Sequence, residues 1–289
     1  MGNAKRVAIL GAGVVGLSWT GLFLANGLEV TICDPRPDIR IWALGGLEKI
    51  KWSLASMGYP IEKFTRHLCF QNKLHKAVAD VEVVQENVPD VLELKQTLYE
   101  KLGRFVQSNT LLLSSSARFS ATQMSNRMKN PEQLMVGYAP DPPHLIPLVE
   151  VVPGAATSQD SIMRAMDFYR RLGKRPVQLG KELAGSVANR LYFALLREGF
   201  HLVNAGVITM ESLDDLVRGS LGPRWAAAGP FKTMVLGGAS GAEPLFDAAT
   251  LERLRQQAAR CYARVPVEDL AQERDEDQIA ILRALRKQD

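Results

Sequence analysis

Short apolar runs alternate with amphipathic segments over the first 180 residues of the chain. Seven of these runs have the length and the apolar content of β-strands. They are RVAIL (6–10), EVTIC (29–33), VEVV (81–84), TLLLS (110–114), LMVGY (134–138), LVEVV (148–152) and PVQL (176–179). Strands that alternate with helices are typical of a doubly wound, mostly parallel sheet, so the pattern predicts an α/β domain of the Rossmann type.

Helical spacing is clearest in two places. The segment LELKQTLYEKLGRFV (92–106) places Leu94, Leu98, Leu102 and Phe105 on one face of a helix. After Leu183 no strand of similar quality follows, and a long amphipathic helix is expected over 185–206 with further helices behind it. The Gly-rich piece GPFKTMVLGGASGAEP (229–244) is expected to form a loop.

The length of 289 residues fits two domains. The change of pattern predicts a first domain over 1–184, expected to bind the nucleotide, followed by an all-helical domain over 185–289, expected to serve the substrate and dimerisation. On the first part of the long helix, the apolar face with Leu191, Leu195, Phe200 and Leu202 exceeds what one small helical cluster buries. We therefore expect a homodimer.

The composition of the chain argues against several classes of function. Hydrophobic residues make up 46% and charged residues 23% of the chain, which is typical of a globular protein. The 35 basic and 31 acidic side chains are scattered along the chain, so no nucleic-acid partner is expected. The three cysteines are far apart, which argues against disulfides and zinc and for a reducing compartment such as the cytoplasm. No apolar run spans a membrane, no signal-peptide pattern is present, and no histidine has metal-ligand spacing.

The turn GAGVVG after the first strand is the main candidate for chemistry. It has the G-x-G-x-x-G spacing at Gly11, Gly13 and Gly16, with Val14 and Val15 at the start of the next helix. The first glycine permits a tight turn, the second lets a diphosphate approach the backbone, and the third allows close helix packing. A diphosphate then meets the helix N-terminus and its unpaired N–H groups. The motif predicts a dinucleotide site.

An acidic residue follows the second strand and completes this pattern. Asp34 comes 18 residues after Gly16, close to the spacing of a ribose ligand. A carboxylate accepts hydrogen bonds from both ribose hydroxyls and repels a 2′-phosphate, which favours NAD over NADP. Arg36 is expected to cover the adenine or to face solvent. Because an arginine near this position can bind the 2′-phosphate, NADP stays open as an alternative cofactor.

Four segments of the chain resemble one known family. They are SSSARFSATQM, MVGYAPDPPHLIPLVEVVPG, GSVANRLYFALLREGFHLVNAG and SLGPRWAAAGPF. Together they resemble the 3-hydroxyacyl-CoA dehydrogenases, and they are most similar to the branch that contains λ-crystallin and L-gulonate 3-dehydrogenase. The resemblance covers nearly the whole chain. It implies a Rossmann domain followed by a helical domain that carries a dimer interface.

The resemblance also implies a reaction and several site residues. Such enzymes transfer hydride between NAD and the 3-carbon of a β-hydroxy acid or thioester, while a histidine held by a glutamate takes the hydroxyl proton. Glu150 matches that glutamate, and Asn189 matches an asparagine that helps hold the oxygen. Glu86 and Lys95 match a loop and a helix start on the nicotinamide side.

Two or three active-site positions depart from the family pattern. The motif H-x-x-N-P falls on Tyr138, Asp141 and Pro142, so a tyrosine replaces the base and an aspartate replaces the amide. The family's small hydroxyl residue aligns with Arg118, or with Ser116 after a shift of one residue. Three states are open for the aspartate, namely pairing with Arg118, protonation or solvent exposure.

The replacement leaves the role of the neighbouring groups open. Tyr138 is either a proton donor or a ring that fills the place of the histidine. His144 is an alternative base, and Glu150 is itself a base, a partner of Tyr138 or Arg118, or a buried hydrogen-bonded remnant. Three functions follow: an NAD(H)-dependent oxidoreductase, a non-redox acid–base enzyme such as a cyclase, dehydratase or isomerase, and a catalytically silent crystallin-like protein.

Overall fold

The computed structural model describes residues 6–237, 247–262 and 264–285 of the chain. Within them, eight strands form a single sheet in the order β3-β2-β1-β4-β5-β6-β7-β8. All neighbouring strands are parallel except β6 and β7, which are antiparallel. The strands are β1 (Arg6–Leu10), β2 (Glu29–Cys33), β3 (Leu68–Phe70), β4 (Val83–Glu86), β5 (Leu111–Ser114), β6 (Leu134–Tyr138), β7 (Leu148–Pro153) and β8 (Arg175–Gln178).

The helices fall into two groups along the chain, some between the strands and the others after the last strand. They are α1 (Val14–Ala25), α2 (Ile39–Ser56), α3 (Leu74–Ala77), α4 (Leu92–Phe105), α5 (Ala121–Met124), α6 (Gln159–Arg171), α7 (Val187–Asn204), α8 (Met210–Gly219), α9 (Leu221–Gly237), α10 (Ala248–Tyr262) and α11 (Val267–Leu285). The predicted Rossmann-type sheet followed by an all-helical region is confirmed. No described helix is long and apolar enough to cross a membrane.

The central strands of the sheet are largely apolar because the sheet is covered on both faces. In β1, Val7 and Ile9 contribute to one apolar cluster, whereas Ala8 and Leu10 contribute to the other. Successive side chains of a strand point to opposite faces, so this division identifies two separate cores. A parallel sheet buried on both faces gives continuous apolar runs rather than strict alternation.

Local details differ from the predictions in three places. Strand β3 was not predicted, because three residues are too few to give a pattern. In α4, Leu94 and Phe105 are exposed, and the buried face carries Lys95 and Tyr99 beside the predicted Leu102. The expected loop over 229–244 is wrong for its first part, since α9 continues to Gly237 after a kink at Gly229; residues 238–246 lie outside the described residues.

The chain divides into two compact units, residues 1–193 and 194–289, and the division falls within α7. Whether the domain boundary lies between residues 184 and 185 stays a prediction. The second unit has very little core of its own. Its only buried residues, among those described, are Gly199, Pro223, Leu251, Ala258 and Leu270.

Candidate active site

The glycine turn after β1 has the geometry of a diphosphate site. Gly11 has a φ of +81°, and a Cβ on Gly16 would lie 2.1 Å from the Gly11 carbonyl oxygen. Both positions therefore exclude any side chain. A Cβ on Gly13 would meet no protein atom within 4 Å, and no side chain caps α1 at this end. The open space at Gly13 and the uncapped helix start together form a cradle for an anion.

Asp34 lies beside this turn and is held as a carboxylate. Its Oδ2 atom accepts from the Ala12 backbone N–H at 2.8 Å, and Arg36 donates from Nε to Oδ1 and from Nη2 to Oδ2, both at 2.8 Å. Hydrogen bonding from Arg36, the largest cause, lowers the pKa of Asp34 to about 2. The Arg36 guanidinium also lies 5.1 Å from the centre of the Trp42 ring. Arg36 therefore pairs with the Asp34 carboxylate and is only partly exposed to solvent.

Glu86 and Lys95 form a buried ion pair behind the turn, with 2.6 Å between Lys95 Nζ and Glu86 Oε1. Glu86 Oε1 also accepts from the Val88 backbone N–H at 2.7 Å, and Oε2 accepts from the Tyr99 hydroxyl at 2.9 Å. These contacts fix the loop after β4, whose Asn87 carbonyl oxygen would lie 2.9 Å from a Cβ on Gly11. The pair therefore supports the cofactor turn from behind and is fully buried itself.

A pocket lies elsewhere in the first unit, and its polar lining comes from Ser116, Ser120, Tyr138, Glu150 and Ser186. Tyr138 and Glu150 are directly opposite each other in the antiparallel pair β6 and β7. The Tyr138 hydroxyl donates to Asn189 Oδ1 at 3.2 Å. The structure thus brings together four of the predicted residues, namely Ser116, Tyr138, Glu150 and Asn189.

Family models for two domains match this chain. The 3-hydroxyacyl-CoA dehydrogenase NAD binding domain matches residues 6–183, and the C-terminal domain of the same family matches residues 185–273. The chain belongs to the 3-hydroxyacyl-CoA dehydrogenase family. The predicted family and NAD as the cofactor are thereby confirmed, and so is the prediction that the protein is an oxidoreductase.

Individual members of the family show how far the similarity extends. An L-carnitine dehydrogenase of Oceanobacillus iheyensis is 38% identical over 81% of this chain and 76% of its own. A 3-hydroxyacyl-CoA dehydrogenase of Gibberella moniliformis is 37% identical over 83% of this chain and 74% of its own. The structure of 5-formyl-3-hydroxy-2-methylpyridine 4-carboxylic acid 5-dehydrogenase, an NAD⁺-dependent dismutase, has a TM-score of 0.77 at 27% identity, covering 86% of this chain and 81% of that one.

The segment after β5 places Ser116 and Arg118 differently. Ser116 is buried in the pocket wall, and its Oγ accepts from the backbone N–H groups of Arg118 at 3.2 Å and Phe119 at 3.0 Å. Arg118 is exposed, with its guanidinium 5.5 Å from the centre of the Phe119 ring. Of the two candidates for the family's hydroxyl position, only Ser116 lines the pocket.

The ion pair between Arg118 and Asp141, one of the three states open for the aspartate, is not formed. Asp141 is exposed, and no ion pair joins the two side chains, both of which the structure describes. Of the three states open for Asp141, solvent exposure is therefore the observed one.

His144 has a structural position rather than a place in the pocket lining. It is 5% exposed, with Nδ1 2.8 Å from Ser18 Oγ and Nε2 3.0 Å from Ser53 Oγ. Ser53 donates its own hydroxyl to the Ile50 carbonyl, so a neutral ring protonated on Nε2 satisfies every contact. Burial, followed by the charge of Lys174, lowers the pKa of His144, which agrees with a neutral ring.

Lys174 completes the anchoring of the loop between β6 and β7. Its ammonium group donates to the carbonyl oxygens of Pro143 and Ile146. Burial lowers the pKa of Lys174 to about 8. Together with His144, it fixes the connection between the strands that carry Tyr138 and Glu150.

Several residues of this site had no signal in the sequence analysis. Ser18, Ser53 and Lys174 are far from the loop along the chain, and no motif connects them with it. Ser186 could have been found, because a serine one residue before a helix is a common N-cap. Its Oγ accepts from the Asn189 backbone N–H at 3.1 Å. No group of three His, Cys, Asp or Glu residues that could hold a metal ion occurs in the described parts of the chain.

Proposed function

We propose that this protein is an NAD(H)-dependent reductase of small β-keto acids or thioesters in which Tyr138 donates the proton. The observation that supports this proposal is the hydrogen bond from the Tyr138 hydroxyl to Asn189 in the wall of the pocket. A phenol has an ordinary pKa of about 10 and is therefore a better acid than base at neutral pH. We expect reduction of a carbonyl to be favoured over oxidation of an alcohol.

In this proposal each group has a distinct task. NADH supplies the hydride, and the turn at Gly11, Gly13 and Gly16 with Asp34 would hold the nucleotide. Tyr138 would transfer its proton to the substrate oxygen as that oxygen gains negative charge. The Asn189 amide orients the phenol before the reaction, because its Oδ1 atom accepts the same hydroxyl. Ser116, in the pocket wall, and Arg118, with its stacked guanidinium, are candidates for contact with the substrate.

The names of the relatives support the substrate class. Two similar proteins are named for 3-hydroxyacyl-CoA and L-carnitine, and the structural neighbour is named for a pyridine carboxylic acid with a formyl group. A free acid suits the exposed Arg118, which no described carboxylate pairs. A reducing compartment such as the cytoplasm fits the free thiols of Cys33, Cys69 and Cys261.

Acid–base chemistry without net hydride transfer is the second candidate. It is favoured by the tyrosine at the base position, because a positioned phenol can protonate or enolise a β-dicarbonyl compound without a nucleotide. The test mixes the protein with NADH and a panel of β-keto acids, β-keto thioesters and β-dicarbonyl compounds. Loss of the reduced-nicotinamide absorbance supports the reductase, and product formed without that loss supports the second candidate. No turnover in either assay would support a catalytically silent protein.

Nucleotide preference tests the role of Asp34. We expect tighter binding of NAD(H) than of NADP(H), because the carboxylate stays ionised and repels a 2′-phosphate. The ribose must displace the Arg36 guanidinium from the same carboxylate oxygens. Asp34→Ala should reduce the difference in affinity between NAD(H) and NADP(H). Calorimetric titration with both nucleotides measures this difference. Equal affinities in the unchanged protein would contradict the assignment.

We also propose a homodimer built mainly through the helical part from residue 185 onward. Support comes from the small core of the second unit and from large apolar side chains that remain exposed there, among them Phe200 (55%), Val207 (69%) and Phe231 (57%). Burial of such side chains in a second copy would stabilise the unit by about 25 cal/mol per Å² of apolar surface.

Light scattering at micromolar concentration should give twice the mass of one chain. Phe200→Glu should shift the protein toward a monomer, because a carboxylate is costly to bury at an interface. Trp52→Glu is a matched control, since Trp52 is 78% exposed on α2 in the first unit. A monomeric unchanged protein would refute the dimer.

A further inference from the structure

The carboxylate of Glu150 is the buried acid of the pocket, and its partner is not a catalytic side chain. Glu150 is 2% exposed, and no hydrogen bond joins it to Tyr138 although both residues are described. Its Oε2 atom accepts from the Val187 backbone N–H at 2.9 Å, and Oε1 accepts from the Ala188 N–H at 2.8 Å. Both oxygens of the carboxylate therefore face the start of α7.

We infer that Glu150 is a positioning residue: it fixes the first turn of α7 and thereby holds the Asn189 amide against the Tyr138 hydroxyl. This inference rests on the proposed function for its catalytic consequence, whereas its structural part stands independently. It gives the glutamate a task that needs no histidine and no proton transfer.

Helix ends explain why this contact is strong. The first N–H groups of a helix have no partner within the helix and carry a partial positive charge. At the start of α7, Glu150 accepts from the first two residues and Ser186 accepts from the third, which is Asn189. A carboxylate that accepts two backbone N–H groups forms charge-assisted hydrogen bonds, which compensate for burial of its charge.

The contact also connects the helix to the proton donor. Tyr138 and Glu150 form a register pair across β6 and β7, so their backbones are held together by the strand ladder. Glu150 then holds the first turn of α7, and Asn189 in that turn accepts the Tyr138 hydroxyl at 3.2 Å. The contacts therefore run from Tyr138 through the strand pair to Glu150, from Glu150 to the start of α7, and from Asn189 in that helix back to the Tyr138 hydroxyl. Displacement of the helix start by even about 1 Å would misplace the amide, an error that can cost about 10²-fold in rate.

Glu150→Gln separates this role from proton transfer. The amide keeps one acceptor oxygen but presents an NH₂ group to the second backbone N–H. Amide hydrogen exchange at Val187 and Ala188 should become about tenfold faster, the size of effect expected when a helix N-cap is lost. The turnover number for carbonyl reduction should fall about ten- to hundredfold, with the KM for NADH unchanged. The pH dependence of the rate should keep its shape, whereas removal of a proton relay would delete one limb.

A matched control is available in another helix. Glu93 is an exposed acid in the first turn of α4, so Glu93→Gln removes a similar charge from a helix start away from the pocket. It should leave the exchange at Val187 and the rate unchanged. If Glu150→Gln behaves like this control, the inference fails.

A double-mutant cycle tests the link to Asn189. If Glu150 acts through the amide, Glu150→Gln should cost little additional rate once Asn189→Ala is present, because the group that it positions is gone. Fully additive losses would overturn the positioning role. The exchange measurement needs no turnover, so a protein that reduces no carbonyl compound but shows faster exchange in Glu150→Gln refutes the reductase and keeps the structural part.

Discussion

Tyr138→Phe should lower the rate of carbonyl reduction by about 10² to 10⁴, the range typical of losing a general acid. The change keeps the ring that lines the pocket and removes only the hydroxyl that Asn189 accepts. Tyr138 is partly exposed, so the protein should fold and bind NADH as before. Steady-state kinetics with the best β-keto substrate, together with NADH titration, measure the two effects separately.

The direction of the reaction provides a second readout for the same residue. Tyr138→His restores the residue type that the family motif has at this position, and imidazole is the better base near neutral pH. At saturating substrate, the turnover number for oxidation of the corresponding alcohol should therefore rise relative to that for carbonyl reduction, whereas the ratio of the two kcat/KM values stays fixed by the equilibrium constant. A Tyr138→Phe protein that turns over at the parent rate would show that the ring only fills space, and the second candidate function would then need another acid.

Two alanine substitutions in the glycine turn should have large and separable effects on nucleotide binding. Gly13→Ala should weaken NAD(H) binding by at least about tenfold, which corresponds to 1.4 kcal/mol, without lowering the melting temperature. The reason is that a Cβ at Gly13 meets no protein atom but occupies the space that the diphosphate needs. The backbone there has a φ of −65°, which alanine adopts without strain.

Gly16→Ala should destabilise the fold as well as remove binding. Its Cβ would lie 2.1 Å from the Gly11 carbonyl oxygen, so α1 or the turn has to move. Overpacking of this kind costs typically 1–3 kcal/mol, and a backbone atom cannot rotate away. Thermal unfolding and NADH titration of both variants check the contrast. Unchanged NADH affinity in Gly13→Ala would show that the nucleotide does not use this turn.

The parts of the fold that the sequence predicted well depend on neighbours along the chain. The unit β1–α1–β2 with Asp34 at its end follows a spacing that is local, and each strand there contributes to the core as its apolar run predicts. Tyr138, Glu150 and Asn189 were chosen from a family resemblance, which carries tertiary information that periodicity lacks. Tyr138 and Glu150 line one pocket, and Asn189 contacts Tyr138, so the resemblance identified residues that lie close together.

The parts that the sequence did not predict depend on single polar contacts between distant segments. Helix α4 turns Lys95 and Tyr99 inward because Glu86, at the end of β4, is buried and needs donors. The spacing of apolar residues does not reveal that Glu86 needs hydrogen-bond donors. It therefore predicts Leu94 and Phe105 on the buried face, where the structure has them exposed. Likewise, the partners of His144 lie 126 and 91 residues away, so no local pattern indicates them.

The anchored loop between β6 and β7 limits how this site can be exchanged between relatives. His144 attaches the loop to α1 through Ser18 and to α2 through Ser53, and Lys174 holds it from the end of α6. A loop transplanted alone into another scaffold would leave these anchors behind and bring a buried histidine without its hydrogen-bond partners. Chimaeras made by recombination within the family should therefore fold only where the loop and its three anchoring residues come from the same parent. The strand that carries Tyr138 and the helix α1 at the nucleotide turn would then have to be exchanged together.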